Sequence, residues 1–187
     1  MRDYLSGMNV ITGGTGSIGM HLVREWLSVG EPVRLLARPQ ADRTRLRDFL
    51  RWSMPDDVDA FERIEWAVGD ITDGISLEEA FAGAERVIHA AAVVSFNRRD
   101  EAQMMEVNRE GTANVVNAML AVGVKDLIYI SSVAALGRKP DEPEVTEDSV
   151  FEDGPDVSAY AKSKYLAELE MWRGQEEGLR VVALNPV

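Results

Sequence analysis

The chain has 187 residues, a net charge of −12 and no cysteine. Its length suits one domain with a sizeable core. The acidic balance disfavours nonspecific nucleic-acid binding, and the lack of cysteine excludes disulfides, thiolate zinc sites and cysteine nucleophiles and fits a cytoplasmic location.

From the N-terminus, Met1–Gly7 lacks the apolar region of a signal peptide. Asn9–Thr12 reads as a buried strand, and Val10-Ile11-Thr12-Gly13-Gly14-Thr15-Gly16-Ser17-Ile18-Gly19 as that strand's end, a glycine turn and a helix start. Gly13, Gly16 and Gly19 have the spacing G-x-x-G-x-x-G, which permits a tight turn, close approach of a pyrophosphate and close helix–strand packing. The helix from about Gly16 to Val29 would aim free N–H groups and its positive dipole end at phosphates. A second strand is Val33–Ala37, between Pro32 and Pro39; Ala41 to about Trp52 is a helix. Arg38, Arg43, Arg45, Arg47 and Arg51 form a basic cluster there against Asp42 and Asp48. Ile64–Val68 is a third strand closed by Gly69-Asp70, and Ser76 is a candidate cap for a short helix. Arg86–Ala90 is a fourth strand, Asp100 to Val122 one long amphipathic helix ending at Gly123, and Leu127–Ser131 a fifth strand. Gly137–Val157 reads as a loop, with eight carboxylates and no cation over residues 141–156. Ser158 to about Glu176 is a helix and Leu179–Leu184 a sixth strand. The alternation argues for βαβ units in an α/β domain with a parallel sheet, and no apolar run reaches the roughly 20 residues of a membrane span.

Tyr160 precedes Lys164 by four positions, so on a helix the two share a face. A cation beside a phenol favours its ionised form, which makes tyrosine usable as a general acid or base. A serine hydroxyl opposite, from Ser131-Ser132 at the end of the fifth strand, can hold a substrate oxygen. With two histidines in the chain, His21 and His89, an all-protein metal site is disfavoured, and both read as structural.

These motifs together resemble the extended short-chain dehydrogenase/reductase family, the epimerase/dehydratase group. The resemblance rests on Thr12-Gly13-x-x-Gly16-x-x-Gly19, Gly69-Asp70-Ile71-Thr72, His89-Ala90-Ala91-Ala92, Val107-Asn108-x-x-Gly111-Thr112, Ser131-Ser132 and Tyr160-x-x-x-Lys164. It implies a doubly wound Rossmann fold, a parallel sheet of about six strands in the order 3-2-1-4-5-6 with helices on both faces. It further implies Tyr160 as the catalytic acid/base, Lys164 as its electrostatic partner and a ligand of the nicotinamide ribose, and Ser132 as the triad serine. Along the cofactor it places Gly13, Thr15, Gly16, Ser17, Ile18, Gly19, Asp70, Ile71, Ala90, Ala91, Ala92 and Pro186. Asp70 would accept from the adenine amino group. Asn108 either lines the site or satisfies backbone within a helix.

Members that prefer NAD carry a carboxylate at the end of the second strand; here Leu36-Ala37-Arg38-Pro39 stands there. Arg38 suits a 2′-phosphate by charge-assisted hydrogen bonds, with Arg43 and Arg45 strengthening the field, so the expected cofactor is NADP(H), with NAD the alternative. The opposing reading is an arginine-rich solvated helix face paired with Asp42 and Asp48. Val133-Ala134 after Ser132 lacks the acidic pair of the family's dehydratases. The run resembles the dihydroflavonol-reductase and 3β-hydroxysteroid-dehydrogenase branch instead. The expected activity is reversible hydride transfer between NADP(H) and a small-molecule carbonyl/alcohol pair. The alternatives are nucleotide-sugar epimerisation with NAD and a nonenzymatic dinucleotide sensor. Neither a nucleic-acid nor a membrane partner is expected, and the two long helices imply a homodimer by analogy with the family. Residues 1–187 correspond to the family's NAD(P)-binding domain, ending at Asn185-Pro186-Val187 where the family continues into a substrate lobe, so weak or no turnover is expected of this polypeptide alone.

Overall fold

The computed structural model describes residues 7–137 and 144–187. Six strands form one parallel sheet: β1 (Met8–Thr12), β2 (Val33–Ala37), β3 (Glu65–Val68), β4 (Ala84–His89), β5 (Asp126–Ile130) and β6 (Arg180–Leu184), in the order β3-β2-β1-β4-β5-β6. This is the doubly wound order that the resemblance implies, and the middles of the central strands, Val10-Ile11 and Val87-Ile88, are buried and apolar, as a sheet covered on both faces requires.

Alternate strand residues feed two cores. Ile11, Val33, Leu35 and Ile88 pack with α1 (Ser17–Ser28) and α2 (Thr44–Ser53). Val10, Val87, Leu127 and Tyr129 pack on the other face with α3 (Gly74–Phe81), α5 (Gly111–Val122) and α6 (Ala159–Glu176). Short strands and apolar helix stripes of this kind bury most of their side chains, each large one contributing about 1.5–3 kcal/mol.

Two expectations are corrected. The helix expected over 100–122 is not uniform. After a 3-10 turn at Arg98–Asp100 come α4 (Glu101–Met104), a π-helical stretch Met105–Glu110 and then α5. The cap of α3 is Asp73, whose carboxylate accepts from Ile75 N–H at 3.1 Å, and not Ser76. Ser76 sits within the first turn, where its hydroxyl donates to the backbone carbonyls of Asp70 and Asp73. At the end of α5, Gly123 adopts φ +80°, which closes the helix with a left-handed residue. Part of the acidic loop expected over 137–157 lies outside the described residues. At its start, Gly137 meets the Val150 carbonyl so closely that a Cβ there would overlap it.

Candidate active site

At the carboxyl ends of β1, β2, β3 and β4 lies a cleft of about 770 Å³, within the range of ligand pockets. Its floor is the turn after β1. Gly13 has φ +72°, and a Cβ there would lie 2.6 Å from Ala91 N, so the glycine turn and the segment after β4 touch backbone to backbone. Gly19, in the first turn of α1, packs onto the Gly13 carbonyl, and a Cβ on Gly19 would land on that oxygen. Gly16 caps α1 without a side-chain hydrogen bond, leaving the first-turn N–H groups to a ligand. Gly13, Thr15 and Gly16 line the cleft, as do Arg38, Asp70, Ile71, Ala90, Ala91 and Ala92. Ser17 and Ile18 stand exposed at the start of α1.

The end of β2 carries opposed charges. Arg38, Arg45 and Asp42 all line the cleft. Asp42 turns its carboxylate onto Thr44 N–H at 2.8 Å, and that bond holds its pKa below the usual carboxylate value. Arg43 does not join the cleft: its guanidinium lies 4.1 Å from the centre of the Trp66 ring. Arg47 approaches Asp48 at 3.7 Å. The basic cluster therefore divides, with Arg38 and Arg45 toward the cleft, Arg43 on Trp66, and Arg47 and Arg51 on the helix face. Asp70 accepts from both the N–H and the hydroxyl of Thr72, each at 3.0 Å, which fixes the carboxylate at the cleft wall.

A second group of residues gathers around the end of β5. Strand register aligns Thr12 with His89 and His89 with Tyr129, and these three side chains share the face toward α5 and α6. Thr12 Oγ1 lies 2.6 Å from His89 Nδ1, and His89 Nε2 lies 3.1 Å from Thr112 Oγ1. Thr112 donates to the Asn108 carbonyl at 2.5 Å. His89 is fully buried, and desolvation, with the nearby Lys164 charge, pushes its pKa down to about 3. It is a neutral structural histidine, as expected. His21 packs edge-on against Phe49 at 4.7 Å.

Lys164 is 1% exposed. Its ammonium donates to the Tyr129 hydroxyl at 2.7 Å and to the Ile130 carbonyl at 3.0 Å. Burial lowers its pKa to about 8, partly opposed by the charge of Glu168. Tyr129 is itself buried, and desolvation raises its pKa. Tyr160 starts the same helix and sets its ring 6.4 Å from that of Phe96 in an edge-on arrangement. Phe96 belongs to a groove of about 500 Å³ between residues 95–101 and 153–162. Ser132 follows β5, and its hydroxyl accepts from Ala134 N–H at 3.2 Å to start the 3-10 turn Val133–Ala135. That turn packs on α6. The Pro186 carbonyl accepts from Val133 N–H at 3.1 Å.

Asn108, in the π-helical stretch, is 1% exposed and outside the cleft lining. Its amide accepts from Val93 N–H at 2.7 Å and donates to the Val93 carbonyl and to Ser163 Oγ, both at 2.9 Å. Of the two readings of Asn108, backbone satisfaction is the one realised. The backbone it serves is the loop after β4, not its own helix. Since Val93 lines the cleft, Asn108 ties the cleft wall to α6. Sequence reasoning quoted Thr112 in a motif without giving it a role, and missed Tyr129, Ser163 and Glu168. Spacing offered a signal for two of them, because Thr112 and Glu168 stand four residues beyond Asn108 and Lys164 and so share their helix faces.

The model of the NAD dependent epimerase/dehydratase family matches residues 9–187. The chain belongs to this family. A Synechocystis sp. protein provisionally named dihydroflavonol 4-reductase is 34% identical over 176 residues, which is 94% of this chain and 47% of that protein. A Vaccinia virus (strain Ankara) 3 beta-hydroxysteroid dehydrogenase/Delta 5-->4-isomerase is 30% identical over 160 residues, 84% of this chain and 43% of the relative. Among solved structures, the UDP-glucose 4-epimerase of Thermus thermophilus in complex with NAD superposes with a TM-score of 0.74 at 27% identity, over 95% of this chain and 54% of that one. The chain thus spans about half the length of the proteins it matches. Among the described residues, no helix is long and apolar enough to cross a membrane.

Proposed function

We propose that this chain supplies the cofactor-binding and acid–base portion of an NADP(H)-dependent oxidoreductase acting on a carbonyl/alcohol pair. The observation that carries the reading is the make-up of the cleft: a glycine turn at a helix N-terminus, three small alanines opposite, and Arg38 and Arg45 at the end of β2. A dinucleotide fits these groups. Its pyrophosphate would meet the N–H groups of α1, its adenine would lie by Asp70 and Ile71, and its 2′-phosphate would meet Arg38 and Arg45. When bound, the nicotinamide supplies or accepts the hydride.

The chain's own part is proton transfer and orientation. Tyr160 would donate a proton to the carbonyl oxygen during reduction and take it back during oxidation, while Ser132 Oγ holds the same oxygen. Lys164 has three N–H donors, and two are engaged by Tyr129 and Ile130. The third is suited to the nicotinamide ribose. Below about pH 8 the ammonium keeps its charge and favours the ionised phenol during turnover. The Val133–Ala135 turn after Ser132 offers no acid for elimination of water, which argues against dehydration.

Nucleotide-sugar epimerisation with NAD is the second reading, supported by the likeness to the Thermus thermophilus epimerase. The arginines at the end of β2 weigh against it. The test is NADPH-dependent reduction of a panel of aldehydes and ketones by a longer chain that joins the family's substrate lobe to residues 1–187, and by its Tyr160→Phe variant. Turnover abolished in the variant, with NADPH binding intact, supports the reading. A sensor would bind dinucleotide equally in both and reduce nothing.

A further inference from the structure

Glu168 is 8% exposed and lies on α6 four residues beyond Lys164 and eight beyond Tyr160. All three share one helix face. Its Oε1 accepts from Ser131 Oγ and from Asn185 Nδ2, the latter at 2.7 Å. Asn185 Nδ2 also donates to the Ser132 carbonyl at 3.1 Å. Two backbone bonds complete the clasp: Ser131 N–H to the Leu184 carbonyl at 2.7 Å, and Val133 N–H to the Pro186 carbonyl at 3.1 Å. Each residue from 131 to 133 is therefore held, and a single carboxylate accepts from both Ser131 and Asn185.

A carboxylate has about four acceptor sites and no donor. Burying one is costly unless it is hydrogen-bonded, and an apolar residue would satisfy the core at that point equally well. The bonds that hold Glu168 lead to the serine strand on one side and, through the helix, to Tyr160 and Lys164 on the other. The spacing from Tyr160 to Glu168 corresponds to about 12 Å of rigid helix.

We propose that Glu168, with Asn185, is a positioning residue that sets Ser132 against Tyr160 and sustains the charge on Lys164. This rests on the roles proposed above for Ser132, Tyr160 and Lys164. The positioning is mechanical: Glu168 fixes the end of β5 and the segment after β6 to the helix that carries the tyrosine. The electrostatic part is the negative charge one turn from the ammonium, which opposes the desolvation that would strip its proton. The other ionisable groups about Lys164 are Tyr129 from β5 and His89 from β4, both held neutral by burial, with Tyr160 acting on Tyr129 from α6. Arg109 and Arg173 reach Glu170 instead, at 3.9 and 3.0 Å.

Three variants separate the parts. Glu168→Gln keeps an acceptor and removes the charge; Asn185→Ala removes the amide that joins Glu168 to the Ser132 carbonyl and keeps the charge; Glu168→Ala removes the charge and the acceptor of Ser131 and Asn185 together. Lys164 is followed by NMR of lysine labelled at Cε, which reads its titration without any turnover, and kcat is followed against pH in the longer chain that carries the family's substrate lobe. Glu168→Gln should move the Lys164 midpoint, and the alkaline limb of kcat with it, to lower pH. Asn185→Ala should lower kcat roughly ten-fold with an unmoved midpoint, the size of one charge-assisted hydrogen bond. An unmoved Lys164 midpoint in Glu168→Gln, or a wild-type kcat in Asn185→Ala, overturns the proposal. Failure of the parent reading looks different: wild type and Tyr160→Phe would then turn over alike, while the Lys164 midpoint still answers for Glu168.

Discussion

The ammonium of Lys164 and the hydroxyl of Tyr129 are hydrogen-bonded at 2.7 Å, across the interface between α6 and β5. Both side chains are 1% exposed, so each is the other's means of being polar inside a core. Tyr129→Phe removes the acceptor while preserving the ring. The buried ammonium then leans on the Ile130 carbonyl, and the loss should destabilise the fold by about 1–3 kcal/mol. Denaturant unfolding at neutral pH measures this. The cation also sets a pH dependence. Its folded pKa of about 8 lies below the unfolded value of 10.5, so between them the unfolded chain binds more protons. Stability should therefore rise with pH from about 8 toward 10 relative to Lys164→Met, which has no such proton to lose.

His89 acts with the same sign in an acidic window. Its folded pKa is about 3 against 6.5 unfolded. As pH falls from 6.5 to 3 the unfolded state takes up a proton that the folded state refuses. Stability should decline by about 1.4 kcal/mol for each unit separating the two values. Thermal unfolding from pH 7 down to pH 4 should show a steeper slope in wild type than in His89→Asn, whose amide can still meet Thr12 or Thr112 and which keeps the same carboxylates.

Asn108 spans the cleft wall and α6 through three hydrogen bonds. Asn108→Leu fills the same space but leaves the Val93 N–H and carbonyl without those bonds. A loss of about 1–2 kcal/mol follows, because the Val93 groups lose their partners but are only part-buried at the cleft wall. Asn108→Asp should also destabilise, because a carboxylate can accept from Val93 N–H but cannot donate to the Val93 carbonyl or to Ser163. Amide exchange at residues 90–93 should accelerate in both variants; exchange at wild-type rates would show that the loop is held by other means.

At the end of β2, Arg38 and Arg45 outnumber a carboxylate already turned onto Thr44. NADPH should bind more tightly than NADH. Arg38→Ala should weaken NADPH by roughly ten-fold or more, the magnitude of a charged hydrogen bond, and leave NADH nearly unchanged. Titrations of both cofactors against both proteins check it, and tighter binding of NADH to the wild type would reverse the assignment.

Much of the fold was legible because buried parallel strands write themselves as apolar runs such as Leu127–Ile130, and because Gly13, Gly16 and Gly19 mark the turn. The helix stop at Gly123 was legible for a similar reason, since a left-handed residue favours glycine. The π-helical Met105–Glu110 was not: its hydrophobic period differs little from a regular helix, and the contact made from it, Asn108 to Val93, is tertiary. The cap of α3 was misplaced by three residues because Asp73 and Ser76 both suit a helix start. Arg43 left the cleft for Trp66, a partner 23 positions away that no local pattern announces. The partner of Lys164 was hidden for the same reason: Tyr129 lies in a strand that reads as plain core until the register sets it beside His89.

The proposed chemistry requires a dinucleotide seated over the glycine turn with Tyr160 and Ser132 at its nicotinamide end. A crystal structure of the protein with NADPH tests this most directly. The prediction is adenosine between Asp70 and Arg38, pyrophosphate at the start of α1, and the nicotinamide within reach of both the Tyr160 hydroxyl and Ser132 Oγ. A dinucleotide bound elsewhere, or a Tyr160 hydroxyl and Ser132 opening onto different surfaces, would contradict it.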